Sequence, residues 1–364
     1  MRAYLQSLHA LRGVACLLVL LAHIGVWEAS IGPNRPLLGI VEWFGYAAVD
    51  CFFVLSGFVI CYTQWQKLGD PGQARAYFLA RFWRVFPLYW CMLPFAILQV
   101  HLISGEAATT LTGNRTERWL SWFFIVPHES INPYLPTTWT LPYEIAFYII
   151  FGLLLVFPKR YAVMLLLAWG MGSTLLELRG VQHPIGRAVA GAHVWEILLG
   201  CLLAGVVRKQ WLVAGRSFIA FGIIWAVGWL IVRNPHTISA YLTADPWGRA
   251  STFGIAAGAI VYGLAVWELK RNGRVPRALI LCGDASYSIY LAHIPACSAF
   301  FFLTLRHWPH TTLGHIAWVF AMLTVGIGGG FLAYYFVEKP IMNWRKSRSH
   351  ISRSAVQRVQ LEPA

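Results

Sequence analysis

Long apolar stretches, separated by short polar connections, recur along the whole sequence. A helix needs ~20 apolar residues to cross the hydrocarbon of a bilayer, and most of these stretches have about that length. The pattern predicts about ten transmembrane helices, although the short connection FPKRY between the fourth and fifth leaves counts of nine or eleven open. The predicted spans cover roughly residues 8–28, 41–62, 82–103, 142–157, 162–178, 189–207, 217–233, 250–267, 286–305 and 315–338.

The composition agrees with that pattern. The 364 residues are 58% hydrophobic and 12% charged, which is too apolar for an ordinary soluble domain. We therefore predict an all-α polytopic membrane protein, with a bundle of about ten transmembrane helices in residues 1–344, no appended soluble domain, and a basic cytoplasmic tail at 345–364. The first stretch is expected to stay in the mature chain, because Arg12 lies within it and no small-residue cleavage site follows.

The seven cysteines fall in or at the ends of the predicted spans. They form no CxxC pair and have no His/Cys spacing that suits zinc, so they indicate small apolar core residues. We predict no metal site.

The basic residues are distributed unevenly between the two sides of the predicted bundle. The net charge is +14, which in a soluble protein can indicate a nucleic-acid partner. With the N-terminus inside, alternating spans place about 20 Lys and Arg residues on the cytoplasmic side and about 8 outside, as the positive-inside rule requires. We therefore expect both termini in the cytoplasm, no nucleic-acid partner, and a tail that lies against anionic membrane lipids.

The first predicted span, in LHALRGVACLLVLLAHIGVW, contains the ionisable residues Arg12 and His23. Eleven residues make three helical turns to within ~20°, so both side chains lie on one face of a helix, ~16 Å apart along its axis. Placing such groups in hydrocarbon costs ~2.5 kcal/mol or more each, which favours a functional site. A snorkelling arginine beside a packing histidine is the alternative.

Two further arginines, Arg81 and Arg84 in ARFWRVFPLYW, lie three residues apart at the cytoplasmic end of the third predicted span. Together with Arg12 they are able to form a pocket of three guanidinium groups, which bind phosphate in a bidentate manner and stay charged. The alternative is that Arg81 and Arg84 only set the topology.

Acidic residues also lie within apolar stretches, where each needs a partner or a proton. Asp50 lies near the middle of the second span with Ser56 two turns further in, Glu144 begins the fourth span, and Glu196 lies in the outer half of the sixth. Their depth is similar to that of His23, and imidazole and carboxylate at one depth are what a general base and its orienting acid require.

Polar residues also share one stripe of the ninth predicted span. Ser286, Tyr290 and His293, in GDASYSIYLAHIP, recur at i, i+4 and i+7. Such residues usually face the interior of a bundle. They either join helices by hydrogen bonds or take a direct role in the site.

Seven motifs occur in order along residues 5 to about 345: LHALRG with the later His23, VDCFFVLSGFVI, RFWRVFPLYW, TWTLPYEIAFY, WEILLG, SYSIYLAH and VEKP. In this combination the chain resembles the membrane-bound acyltransferase family 3, polytopic enzymes that O-acetylate bacterial surface and exported glycans. The resemblance implies about ten spans, a cytoplasmic acyl-coenzyme A donor such as acetyl-CoA, and an acceptor reached from the periplasm.

The resemblance also implies roles for individual residues. His23 would be the catalytic histidine, Arg12 would act with it, and Arg81 and Arg84 would contact the coenzyme. A carboxylate, Glu144 or Asp50, is expected to complete the catalytic set by orienting the imidazole. Further positions are expected to support the site: Ser56, Trp139, Glu196, Tyr287, Tyr290 and His293.

Two positions depart from the family pattern. The family often has a second basic residue next to the position of Arg81, where Ala80 and Phe82 stand here. Many members carry arginine at the position of His193, ahead of the WEILLG carboxylate. These differences bear on the strength of phosphate binding and on the partner of Glu196.

The expected function is therefore that of an O-acyltransferase in a bacterial inner membrane, moving an acyl group, acetyl in the simplest case, to a hydroxyl of a lipid-linked or exported glycan. His23 would act either as general base or as an acyl relay. The sequence leaves open whether a separate periplasmic partner protein takes part. The alternative is a proton-coupled transporter or flippase for a glycan or small metabolite, in which the same groups relay protons.

Overall fold

The computed structural model describes residues 4–31, 38, 41–104, 115–127, 134–181, 183–232, 245–271, 274–304, 311–345 and 347. The regular structure of these residues is helical, and no strand occurs among them. In chain order the helices are α1 (Gln6–Ile31), α2 (Val41–Gln64), α3 (Ala74–Ser104), α4 (Arg115–Phe124), α5 (Leu141–Val156), α6 (Ala162–Leu178), α7 (Pro184–Val189), α8 (Ala192–Arg208), α9 (Gly215–Val232), α10 (Pro246–Arg249), α11 (Ile255–Arg271), α12 (Arg277–Asp284), α13 (Ser286–Thr304) and α14 (Thr312–Ala333).

Eight of the described helices are long and apolar enough to cross a membrane: α1, α2, α3, α5, α6, α11, α13 and α14, some of them lengthened by adjoining turns. The predicted fourth and fifth spans are two separate helices, because the backbone of Phe157 and Pro158 is extended after α5. The predicted sixth and seventh spans form the shorter helices α8 and α9, of 17 and 18 residues. The chain is thus an all-helical, multi-pass membrane protein, and the count of ten spans remains a prediction.

Helices α2 and α8 approach each other closely because glycines lie at their contact. A Cβ atom at Gly57 would collide with the carbonyl oxygen of Ile197, and one at Gly200 would collide with that of Val54. Small residues allow membrane helices to pack backbone against backbone. This contact brings Asp50 on α2 next to the first turn of α8.

The start of α1 is fixed by a carboxylate from α11. Glu268, which is buried, accepts hydrogen bonds from the backbone N–H groups of Gln6 at 2.9 Å and Ser7 at 2.7 Å. The first N–H groups of a helix have no partner within it, so this carboxylate satisfies donors that would otherwise stay unpaired. The bonds set the depth of α1, which carries Arg12 and His23.

Two turns of π-helix interrupt or extend the described helices. One, Ala250–Gly254, joins α10 to α11, and the other, Tyr334–Glu338, follows α14. π turns are rare in proteins, and those that occur are often found at functional sites. Each of these two adjoins a buried charged residue, Arg249 before the first and Glu338 at the end of the second.

Candidate functional site

A cavity of about 870 Å³, counting space open to solvent, lies among α1, α2, α3, α5 and α13. The three arginines predicted to share a phosphate site all line it. We call this cavity the arginine pocket. Of the residues singled out in the sequence, its lining contains Arg12, Ser56, Arg81, Arg84, Glu144, Ser286, Tyr287 and Tyr290.

Arg84 is held in place by an ion pair with Glu338, from the π turn after α14. The hydroxyl of Ser288 donates to the other oxygen of Glu338 at 2.5 Å, and the ring of Tyr287 lies 5.4 Å from the Arg84 guanidinium. In the sequence Glu338 stands out only as part of the VEKP motif. The available signal was a carboxylate at the end of the last apolar stretch, where such a group needs a partner.

Arg81 lies between two aromatic rings, those of Tyr77 and Tyr148, with its guanidinium 5.5 and 5.3 Å from their centroids. Its Nε is buried and has no hydrogen-bond partner among the described residues. Tyr148 in turn donates to Glu144 at 3.1 Å. The lining holds the guanidinium groups of Arg12, Arg81 and Arg84 and one carboxylate, Glu144. Even with Glu338 paired to Arg84, positive charge is in excess, which suits phosphate groups.

His23 on α1, which is half-buried, and His293 on α13, which is buried, form a pair with 3.4 Å between Nδ1 of His23 and Nε2 of His293. Each Nδ1 also lies within hydrogen-bond distance of the carbonyl oxygen four residues earlier, 2.8 Å for Val19 and 2.9 Å for Ile289. Because a carbonyl only accepts, each Nδ1 carries the hydrogen. Nε2 of His23 therefore keeps a lone pair and is the basic atom of the ring.

Neither histidine is part of the described lining of the arginine pocket, but Tyr290 links the lining to His293. Tyr290 lines the pocket, and its ring centroid is 6.2 Å from that of His293. Its hydroxyl donates to the carbonyl oxygen of Thr137 at 2.8 Å and lies 3.1 Å from the hydroxyl of Thr140. His293 thus lies next to a residue of the pocket lining, and His23 lies next to His293.

The contacts of the imidazole differ from the expectation that Asp50 or Glu144 orients it. Among the described contacts, His23 meets the carbonyl of Val19 and the ring of His293. The acceptor that fixes the tautomer of His23 is the backbone carbonyl of Val19, four residues earlier on the same helix. It takes the place that was expected for a carboxylate.

Asp50 belongs instead to a second cluster, with Arg249, His193 and Glu196. Both Nε and Nη2 of Arg249 donate to Oδ1 of Asp50, at 3.0 and 2.8 Å, and Nδ1 of His193 lies 2.9 Å from Glu196. Trp139 packs near this cluster, with its ring 5.9 Å from that of His193. Arg249 is one of the basic residues that the alternating spans place outside, and it directly precedes the eighth predicted span.

Comparison with known proteins gives a family model, described as an acyltransferase domain, that matches residues 5–335. The chain is 27% identical to the exopolysaccharide production protein ExoZ of Rhizobium meliloti, over 84% of this chain and 92% of that protein. It is 28% identical to the acyltransferase MdmB of Streptomyces mycarofaciens, over 93% of this chain and 92% of that protein. It is 26% identical to the peptidoglycan O-acetyltransferase OatA of Listeria monocytogenes, over 56% of this chain but only 34% of that protein. No solved structure matches the chain.

Proposed function

Because this chain belongs to the acyltransferase domain family, we propose that it is a membrane-embedded O-acyltransferase that moves an acyl group from acyl-coenzyme A to a hydroxyl of a glycan. The names of two relatives, an exopolysaccharide production protein and a peptidoglycan O-acetyltransferase, support a glycan acceptor and an acetyl group. We propose a bacterial inner membrane as its location, with the coenzyme bound from the cytoplasm.

The observation that carries this proposal is the convergence of Arg12, Arg81 and Arg84 on one cavity. Coenzyme A carries several phosphate groups, and guanidinium groups are suited to bind them. The unpartnered Nε of Arg81 is a buried donor that a phosphate oxygen would satisfy. In this proposal the three arginines hold the phosphates at the inner end of the pocket.

The rest of the pocket suits the extended arm of the coenzyme. Helix α1 is continuous from Gln6 to Ile31, so Arg12 and His23 lie ~16 Å apart along its axis. The arm would run outward past Ser56 and Tyr287 and bring the thioester past Tyr290 toward His23. The acceptor would reach the same histidine from the outer side.

Two reaction schemes fit the lone pair on Nε2 of His23. As general base, Nε2 takes the proton of the acceptor hydroxyl while its oxygen attacks the thioester carbonyl; the C–S bond breaks, and the proton passes to the coenzyme thiolate. As relay, Nε2 itself attacks the carbonyl and releases the thiolate. The acceptor hydroxyl then attacks the acyl-imidazole and gives its proton to the thiolate.

The proposal is tested with membranes that contain the wild type, His23→Ala or His183→Ala, supplied with radiolabelled acetyl-coenzyme A and a glycan extract. His183 is an exposed histidine and serves as the matched control. We expect label in the glycan with the wild type and with His183→Ala, and a loss of at least about 100-fold with His23→Ala, since general-base catalysis contributes roughly 10²–10⁴-fold.

Transfer that survives His23→Ala would contradict the role of this histidine. Movement of glycan across the membrane without labelling would favour the transporter instead.

A further inference from the structure

Four ionisable residues form a cluster that is buried apart from the arginine pocket. They are Asp50 on α2, His193 and Glu196 on α8, and Arg249 at the end of α10, and none of them is more than 7% exposed. Buried ionisable groups are costly unless their charges are balanced and their polar atoms are paired.

The nitrogen atoms of Arg249 and His193 that face the cluster all have hydrogen-bond partners within it. Arg249 donates twice to Oδ1 of Asp50, and its Nη2 also lies 3.3 Å from Nε2 of His193. Because a guanidinium only donates, Nε2 of His193 accepts and its Nδ1 carries the hydrogen. That Nδ1 donates to Oε2 of Glu196 at 2.9 Å, so the imidazole is neutral and both its nitrogens are used.

Two oxygens are left over, one from each carboxyl group. Oδ2 of Asp50 and Oε1 of Glu196 are buried and have no hydrogen-bond partner among the described residues. Ligand atoms of Asp50, Glu196 and His193 all lie within 4.8 Å of one another. Two carboxylates so close together in a medium of low dielectric constant do not both ionise.

The charges of the cluster lead to the same result. Two ionised carboxylates and one guanidinium, with a neutral imidazole, leave one negative charge without a partner. We propose that Asp50 and Glu196 bind one proton between them, as an O–H group on one carboxyl that donates to the other. The proton makes the cluster neutral and pairs its two remaining oxygens.

A metal ion fits these atoms less well than a proton does. The free donors are two carboxylate oxygens, because both nitrogens of His193 are engaged. Zinc takes four ligands and calcium six to eight oxygens. The guanidinium of Arg249 also supplies a positive charge that would repel a divalent cation.

The surroundings keep water away from the shared proton. Aromatic rings enclose the cluster, and Phe53 both stacks on His193, with 4.7 Å between ring centroids, and lines the arginine pocket. Among the described residues, a further charged group near the cluster is Glu177 on α6, which is half-buried and lies near Gly191 at the start of α8. The remaining rings are those of Trp139 and Tyr143 beside the imidazole and of Tyr46 beside the guanidinium.

The direct test is infrared spectroscopy of the full-length protein in detergent or lipid, in H₂O and D₂O. At neutral pH we expect the carbonyl band of a protonated carboxyl group, shifted by deuterium, and its loss in both Asp50→Asn and Glu196→Gln. Glu268→Gln is the control, because Glu268 is equally buried but accepts from two backbone N–H groups; this change should leave the band unaltered.

Thermal unfolding gives a second measurement that does not depend on assigning a band. Either single amide variant leaves Arg249 balanced by one carboxylate, so the unfolding midpoint should move by less than about 3 °C. The double variant Asp50→Asn/Glu196→Gln leaves the guanidinium without a counter-charge and should lower the midpoint by roughly 10 °C.

Three results would overturn the proposal: no band that depends on both residues, a double variant as stable as the single ones, or one bound metal ion per chain that either substitution removes. Metal content is measured by mass spectrometry of the purified wild type. None of these measurements depends on acyl transfer, so failure of this proposal can be distinguished from failure of the proposed function.

Discussion

At the scale of single residues, each buried charge has a neighbour that determines what it can do. Arg84 is neutralised by Glu338, whereas Arg81 keeps an unpartnered Nε. A guanidinium that is already paired gains little when a phosphate binds and mainly orients the ligand. One with a free donor gains a hydrogen bond. The two arginines of one motif therefore differ in their expected contribution to binding.

Replacing Arg81 by alanine should weaken coenzyme A binding about ten- to a hundredfold, since a charge-assisted hydrogen bond contributes about 1.5–3 kcal/mol. Arg75→Ala is the matched control, because Arg75 lies on the same helix but is exposed. Equilibrium binding of radiolabelled coenzyme A to the purified protein measures the effect. Equal affinities for the two variants would remove Arg81 from the phosphate site.

His293 is expected to act on the reaction through His23, as a second acceptor for the hydrogen on its Nδ1. His293→Leu removes that acceptor, and kcat should fall about tenfold, as for the loss of one neutral hydrogen bond, with KM for the acyl donor unchanged. His293→Gln offers an oxygen in its place and should recover part of the rate. If both variants were equally slow, or if KM changed instead, His293 would have a packing role only.

At the scale of helices, the position of α8 depends on the glycines that face α2. Gly200 leaves room for the backbone of Val54, whereas Gly205, five residues further along the same helix, has no neighbouring atom within 4 Å of where a Cβ would lie. The contact at Gly200 aligns the first turn of α8 with Asp50. The contacts among the charged residues around Asp50 therefore depend on Gly200, which is uncharged.

Gly200→Ala should destabilise the protein by about 1–3 kcal/mol, because the added methyl group meets a backbone carbonyl that cannot move aside. Gly205→Ala should be neutral or slightly stabilising, since alanine is the better helix former. The two unfolding midpoints, measured under the same conditions, test the difference. A Gly200→Ala variant as stable as Gly205→Ala would mean that α2 and α8 are not packed this closely.

At the scale of the whole molecule, the number of crossings decides where the ends of the chain lie. Eight helices are long enough to span, and α8 and α9 are shorter. If both of these cross, ten spans keep the two termini on one side, and the basic residues place that side in the cytoplasm.

A reporter enzyme that is active only outside the cytoplasm should be inactive when fused after Ala364. It should be active when fused after Gly113, because alternating spans place the connection between the third and fourth predicted spans outside. A fluorescent protein that folds only in the cytoplasm should give the reverse pattern. Activity of the first reporter at Ala364 would mean an odd number of crossings.

The sequence by itself determined the class of this protein, the location of its apolar helices, and the candidates Arg12, Arg81, Arg84 and His23, because a charge inside a long apolar stretch is visible without a structure. It also placed Arg12 and His23 on one face of one helix, since helical periodicity determines direction and depth along an axis.

The tertiary structure decided which helices face each other, and so which charges pair. Asp50 meets Arg249 and lies away from His23, and Arg84 meets Glu338, a residue 254 positions away. These contacts depend on which small residues let two helices approach, and both Arg249 and Glu338 lie at π turns. Periodicity within one helix contains no information about its neighbours.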